Sequence, residues 1–432
     1  MFGLSLMVGL VMVVMAPPAP AAPGELDGTF GRGGLLTTNF GGTYDWAYAG
    51  ARQPDGRILA AGVSNAHGTY DFALARYTPD RELDLTFGDG GMVTTDFGES
   101  YDWAYAMALQ PDGTIVVGGV SDAGGSKNLA LARYLPNGTL DATFGENGLV
   151  TEGRRPLTTD VIRDLAVQPD GRILVAGVTF EDKASVDPHG DFILARYLSD
   201  GSADPAFGIG GVLTTGFSEG SYDDAYALVL QPDRRIVLGG YSTSGGGPGV
   251  LFGADNLALA RYTPEGLPDM SFGDQGQTVV DAGSLDEEIR DLALTPNGSI
   301  VAAGFTNGER GGDVLLARFT PQGSLDRTFG TEGLTVTDLS AHSEGLSAVA
   351  LQPDGRIVAG GYVARETLAD FAVLRYDPSG SLEDDFGTGG VATADFEGRQ
   401  DKVGALILKP DGKLVTVGSS EHNFAVARFN GS

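Results

Sequence analysis

No cysteine occurs in the 432 residues, so neither a disulfide nor a thiolate metal centre can serve this chain. Positive charge is scarce: 28 Lys and Arg stand against 57 Asp and Glu, a formal net charge of −29. A chain this acidic is repelled by phosphate backbones and anionic headgroups, which argues against nucleic acid and membrane surfaces as partners. Cations, neutral glycans and basic proteins remain. Histidine is rare too. The four copies, His67, His189, His342 and His422, are scattered, and no H-E-x-x-H or G-x-S-x-G string accompanies them. No catalytic residue is therefore assigned. A D-x-D-x-D-G calcium loop is absent, and no glycine-rich turn leads into a helix that could cradle phosphate.

The one long apolar run, residues 2–16 (FGLSLMVGLVMVVMA), is short for a membrane span. It precedes PPAPAAPGE, where Ala19-Pro20-Ala21 resembles a small-residue cleavage site. Residues 1–22 are expected to be a secretory signal, and residues 23–432 a secreted or envelope protein with no stable membrane span.

Glycine, by contrast, is abundant at 67 residues, and so is repetition. A Phe-Gly pair falls at Phe30, Phe87, Phe144, Phe207, Phe272, Phe329 and Phe386, spaced by 57 residues from Phe30 to Phe87 and again from Phe87 to Phe144. An Arg in LARY-like strings recurs at Arg76, Arg133, Arg196, Arg261, Arg318, Arg375 and Arg428. Each copy reads as four short strands, AYAMALQ, TIVVGGV, NLALARY and LVT in the second copy, punctuated by PDG and GxGG turns. Seven such copies predict an all-β fold, a seven-bladed β-propeller with four strands per blade. The strings QPDGRILVAG, DFALARY and LDxTFGxGG resemble the delta-60 tandem-repeat family of bacterial, often exported, propeller-type proteins. That resemblance covers residues 24–432, implies the same fold, and implies no activity.

Six of the arginines are followed eight residues later by an acid, as Arg76 is by Asp84. Arg428 has none before the chain stops, and Asp27 is an acid of this set without an upstream Arg. Pairing the two closes the ring, with residues 35–39 as the N-terminal strand that completes the last blade. Closure also removes the open sheet edges of a linear array.

Two columns of the repeat carry candidate chemistry. Eight residues before each turn stands an acid: Asp45, Asp102, Asp160, Asp223, Glu287, Glu344 and Asp401. These form a candidate ring for a hard cation such as Ca²⁺, weighed against local capping of backbone N–H groups. Three residues later the column varies: Tyr48, Tyr105, Arg163, Tyr226, Arg290, Ser347 and Gly404. Alternation turns this column toward the neighbouring blade unless a bulge swings it inward. Its Tyr and Arg members, with His189, are the candidate ligand-binding residues. Tyr44, Trp46 and Trp103 read instead as packing between blades. Insertions around 179–190 and 242–255 fall between second and third strands, on one face.

The expectation is an exported monomer acting as a binding or scaffold module for an unidentified protein or glycan, through the acidic face that bears the longer loops. One alternative is a hydrolase or lyase on a glycan or lactone, using channel-mouth carboxylates and a divalent cation. The other is a purely structural envelope component.

Overall fold

The computed structural model describes residues 22–79, 82–153, 158–181, 189–243, 253–283, 286–308, 311–340, 342–365 and 368–431. The signal segment and most of both insertions lie outside these residues. Every regular element among the described residues is a β-strand, and no helix is long and apolar enough to cross a membrane. The strands form five four-stranded sheets and one eight-stranded sheet. The larger sheet is two consecutive four-strand runs that meet through one parallel pair, Asp255 with Asp286. Each four-strand run, hereafter a unit, is an antiparallel meander of neighbouring strands. In the second unit the strands are Asp102–Leu109, Ile115–Ser121, Asn128–Tyr134 and Leu149–Glu152. The first begins two residues earlier than the sequence suggests and so takes in the acid Asp102.

Burial explains the sequence of each strand. Ile58–Ser64 and Asp71–Tyr77, second and third strands, are buried on both faces because a neighbouring unit covers each side. Their middle stretches, residues 58–63 and 72–75, accordingly read as an unbroken apolar run. First strands alternate, as in Asp45–Arg52. The cores lie between units: Leu59, Phe72 and Phe87 pack with Ile115, Val117 and Tyr134 of the next unit. The strand Leu35–Thr38 pairs with Asn423–Phe429, so the last sheet is built from both ends of the chain. Phe30, Ala47 and Ile58 then share a core with Val415, Val417 and Phe424.

A polar clasp repeats beneath these cores. Arg76 donates from Nε to Asp84 at 2.9 Å, lies 4.5 Å over the Phe87 ring and donates to the Pro136 carbonyl in the next unit. The same three contacts recur at Arg196, with Asp204, Phe207 and the Pro264 carbonyl. Arg428 makes them with Asp27, Phe30 and the Pro79 carbonyl, which belongs to the first unit.

Candidate functional site

The variable column is a column of bulges. Pairing between first and second strands slips between Ala47 and Ala49, Ala104 and Ala106, Ile162 and Asp164, and Ala225 and Ala227. It slips likewise between Ile289 and Asp291, Leu346 and Ala348, and Val403 and Ala405. Tyr48, Tyr105, Arg163, Tyr226, Arg290, Ser347 and Gly404 are therefore the extra residues, free of the pleat that would turn them sideways. A second-strand glycine permits each slip. A Cβ on Gly62 would sit 1.9 Å from the Trp46 carbonyl oxygen, and on Gly119 1.8 Å from that of Trp103. No side chain larger than hydrogen fits there.

All seven bulge residues border one cavity of about 590 Å³, to which the first strand of every unit contributes. A cavity of that size accommodates a small ligand. Its wall is uneven. Arg163 lies 5.2 Å from the Tyr105 centroid and 4.9 Å from that of Tyr226, and Arg290 lies 4.0 Å from Tyr226. Two guanidiniums on one ring repel, and each is held by its own carboxylate. Arg163 donates to Asp224 at 2.9 Å, and Arg290 pairs with Glu288. Burial works against charge on Arg163, but Asp224 outweighs it and its pKa goes up. Burial pushes the Tyr226 hydroxyl up to about 12, so it stays a hydrogen-bond donor at neutral pH. In the last two units the bulge residues themselves, Ser347 and Gly404, are small.

Beside this charged arc stands an aromatic one. Tyr44 and Trp46 stack with centroids 5.2 Å apart, and Tyr48 meets Tyr105 at 5.2 Å and Trp103 at 6.4 Å. Trp46 donates from Nε1 to the Glu421 carbonyl of the last unit. The rings do pack across units, as expected of them, but Trp46, Tyr48 and Tyr105 also face the cavity. Phe305, Tyr362 and Lys402 line it too, with Lys402 4.7 Å over the Tyr362 ring. None of these three belongs to the column singled out from the sequence.

Two further cavity residues, Asp164 and Asp291, follow their bulges directly, where the other five units carry Ala49, Ala106, Ala227, Ala348 and Ala405. Asp164 accepts the N–H groups of Leu165 and, in the next unit, Leu228, both at 2.7 Å. Asp291 likewise accepts from Leu292 at 2.8 Å and Val349 at 2.7 Å. Burial, then the charge of Asp291, raises Asp164 to about 7, and burial raises Asp291 to about 7. The folded protein thus holds protons that the unfolded chain releases near pH 4, so the stability this pair contributes is present in acid and lost as pH rises through 7. Asp164→Ala is accommodated, since alanine fills this register elsewhere. Between pH 4 and pH 8 the wild type should lose roughly 2–4 kcal/mol relative to that variant, measured by urea unfolding. An equal difference at both pH values would refute the assignment.

The seven start-of-strand acids, Asp45, Asp102, Asp160, Asp223, Glu287, Glu344 and Asp401, are all fully buried. Most visibly they cap loops. Asp45 accepts from the Phe40 N–H at 2.8 Å and the Ser64 hydroxyl at 2.6 Å, and Asp102 from the Phe97 N–H and the Ser100 hydroxyl, both at 2.8 Å. Asp223 and Asp401 accept from Phe217 and Phe396 in the same way. Burial raises both of these to about 6. Where other acids join them, the company comes from strand ends of the preceding unit: Asp71 and Asp96 with Asp102, Asp313 and Asp338 with Glu344, and Asp370 and Asp395 with Asp401. His189 lies apart from the cavity, exposed beside Gly220.

A family model described as a domain of unknown function (DUF5122) beta-propeller matches residues 53–87, 110–144, 168–207, 231–272, 295–329 and 352–386. No curated protein matches the sequence. Among solved structures, the polysaccharide lyase Uly1 is similar at a TM-score of 0.50 and 12% identity, over 89% of this chain and 90% of that one. Sqt1 from Chaetomium thermophilum is similar at a TM-score of 0.45 and 14% identity, over 91% and 98%. A glucose dehydrogenase is similar at 0.41 and 14%, over 75% and 95%. At such identities the lyase shares a fold with this chain and nothing more, and the other two scores are lower still.

Proposed function

This chain belongs to the DUF5122 β-propeller family of domains of unknown function, and from that premise we propose that it is an exported, closed seven-bladed propeller that binds a small saccharide in its central cavity. The delta-60 resemblance belongs to the same reading, with residues 1–22 as the signal and 23–432 as a single ring. Closure is supported by the pairing of Leu35–Thr38 with Asn423–Phe429 and by the Arg428 contacts to Asp27 and Pro79. The unmatched seventh repeat fits this reading, because a repeat split between the chain ends never presents its motif in one piece.

The observation that carries the ligand class is the mixed wall at the bulge column. Tyr48, Tyr105 and Trp46 offer flat apolar faces, while Arg163 and Arg290 offer directed donors and Asp164 and Asp291 offer carboxyl groups. Sugars present both surfaces, an axial C–H face and equatorial hydroxyls. The arginines are paired with acids, so the wall suits a neutral sugar better than an anion. The insertions around 179–190 and 242–255 remain candidates for extending the site on one face.

Neutral and uronic-acid oligosaccharides titrated into the mature chain by calorimetry test this reading. Binding of a neutral oligosaccharide is expected, weakened tenfold or more by Trp46→Ala or Tyr48→Ala and unchanged by His189→Ala. Absence of any glycan binding at millimolar concentration, or indifference to both cavity variants, would refute it. Asp164 and Asp291 favour a second reading, a glycan hydrolase or lyase, because carboxyl groups titrating near neutrality can both give and take protons. Turnover of a bound oligosaccharide that is lost in Asp164→Ala would select it.

A further inference from the structure

We propose that Asp313, Asp338 and Glu344 form a binding site for a hard divalent cation, Ca²⁺ in particular, that clamps two consecutive units together. Asp313 lies near the start of one unit's third strand, Gly311–Phe319, Asp338 follows that unit's fourth strand Leu334–Thr337, and Glu344 opens the first strand of the next, Glu344–Leu351. One carboxylate oxygen from each lies within 4.8 Å of the other two. Oxygens bound to one Ca²⁺ at 2.3–2.6 Å can stand no more than roughly 4.6–5.2 Å apart. The three therefore meet the geometric condition for sharing an ion.

Burial supplies the independent observation. Glu344 is fully buried, its Oε1 accepts the Ser340 hydroxyl, the Leu339 N–H attends the carboxyl, and Oε2 is left without a hydrogen bond. Among the described residues, the charges acting on Asp313 and Glu344 are those of other carboxylates. A buried carboxylate oxygen without a hydrogen bond, in a residue clustered with two more acids, is costly unless a cation completes it. Asp338 is exposed, which gives the ion an entry path and the site a water-facing side.

Equivalent positions elsewhere sharpen the assignment. Asn423 and Asn39 replace Asp313 and Asp338 at the junction of the last and first units, and there the Asn39 amide donates to Asn423 Oδ1 at 2.8 Å. A neutral donor–acceptor pair fills that place without help; two carboxylates cannot. At Asp71, Asp96 and Asp102, backbone N–H groups and hydroxyls take up the demand: Asp102 accepts on both oxygens, and Asp96 accepts from Gly98 and Glu99. At Asp370, Asp395 and Asp401, Arg365 already sits 3.3 Å from Asp370. Among the described residues no arginine or lysine pairs with the Asp313 cluster, and the Ser340 hydroxyl and Leu339 N–H leave Glu344 Oε2 without a hydrogen bond.

Calorimetric titration of the mature, chelator-treated chain with CaCl₂ tests the site. Binding is expected in the micromolar to millimolar range of extracellular calcium modules. Asp338→Asn, at an exposed position, should remove one bound ion per chain, and Glu344→Gln should weaken the same ion tenfold or more. Asp96→Asn should change nothing. No uptake at millimolar Ca²⁺, full stoichiometry in Asp338→Asn, or an equal loss in Asp96→Asn would each overturn the proposal. Circular dichroism of each variant, expected to match wild type, separates loss of the site from loss of the fold.

Discussion

Asp27→Ala should destabilise the protein by about 3–5 kcal/mol, the cost of stranding a buried charge. Asp27 Oδ2 accepts from Arg428 Nε at 2.7 Å and from Lys413 at 2.5 Å, and Oδ1 accepts from the Thr29 N–H at 3.0 Å and its hydroxyl at 2.6 Å. Arg428 and Asp27 are each at most 5% exposed and stand 401 residues apart in the chain. Burial opposes ionisation of Asp27, but Lys413, Thr29 and Arg428 outweigh it and hold the carboxyl far below the usual range. Its contribution is present above the unfolded-chain value near 3.8 and is lost only as pH falls through the much lower folded value. The defect should therefore appear undiminished at pH 5 and at pH 7. Urea unfolding measures it, and limited proteolysis locates it: both chain ends should become susceptible before any internal turn. A wild-type midpoint would show that the ends do not secure one another.

Arg163→Ala should cost a similar amount, about 3–5 kcal/mol, for a related reason. Asp224 has a side chain only 1% exposed, and its Oδ1 has no hydrogen-bond partner even in the intact protein. Removing Arg163 leaves the buried carboxylate with only the Tyr226 hydroxyl and the charge of Arg290 to offset its desolvation. The double variant Arg163→Ala/Asp224→Ala should recover part of the loss, because no charge is then stranded. Arg163→Lys should fall between, since an ammonium keeps the charge but not the planar stacking between Tyr105 and Tyr226. A double variant no more stable than the single would mean that the pair is not what holds this wall.

Much of this architecture is legible in the sequence because it is local and recurs. The Arg–acid spacing of eight residues, the Phe-Gly pair and the PDG turn each specify a contact made within one unit, and the structure makes each of them. The bulge column is different. Strict alternation would point Tyr48 and Arg163 at the adjacent unit, and nothing in the identity of a Tyr or Arg announces an extra residue. The signal was one strand away, in Gly62, Gly119, Gly177, Gly240, Gly304, Gly361 and Gly418, a glycine inside every buried second strand. Asp164 and Asp291 were equally visible as two acids in a column of alanines. Phe305 and Tyr362, one residue after the second-strand glycine, were not, because Val63, Val120 and Val178 fill the same register as ordinary core residues, and Lys402 shares its register with Trp46, read as packing. The opposite fate met His189, a rare residue whose rarity carried no information about where its strand end lies.

Because each bulge residue stands outside the ladder register, its position is excused from the backbone pairing that holds its sheet. Sites without an ion pair, such as Tyr48 and Ser347, can thus be rewritten one at a time, whereas Arg163 and Arg290 are tied to Asp224 and Glu288 and a Cβ on Gly404 would stand 2.7 Å from the Tyr48 carbonyl oxygen. If the cavity binds the proposed saccharide, recognition is a short combinatorial code carried on a repeated frame, and a library randomised at the bulge sites free of ion pairs would sample new ligands while leaving the frame alone.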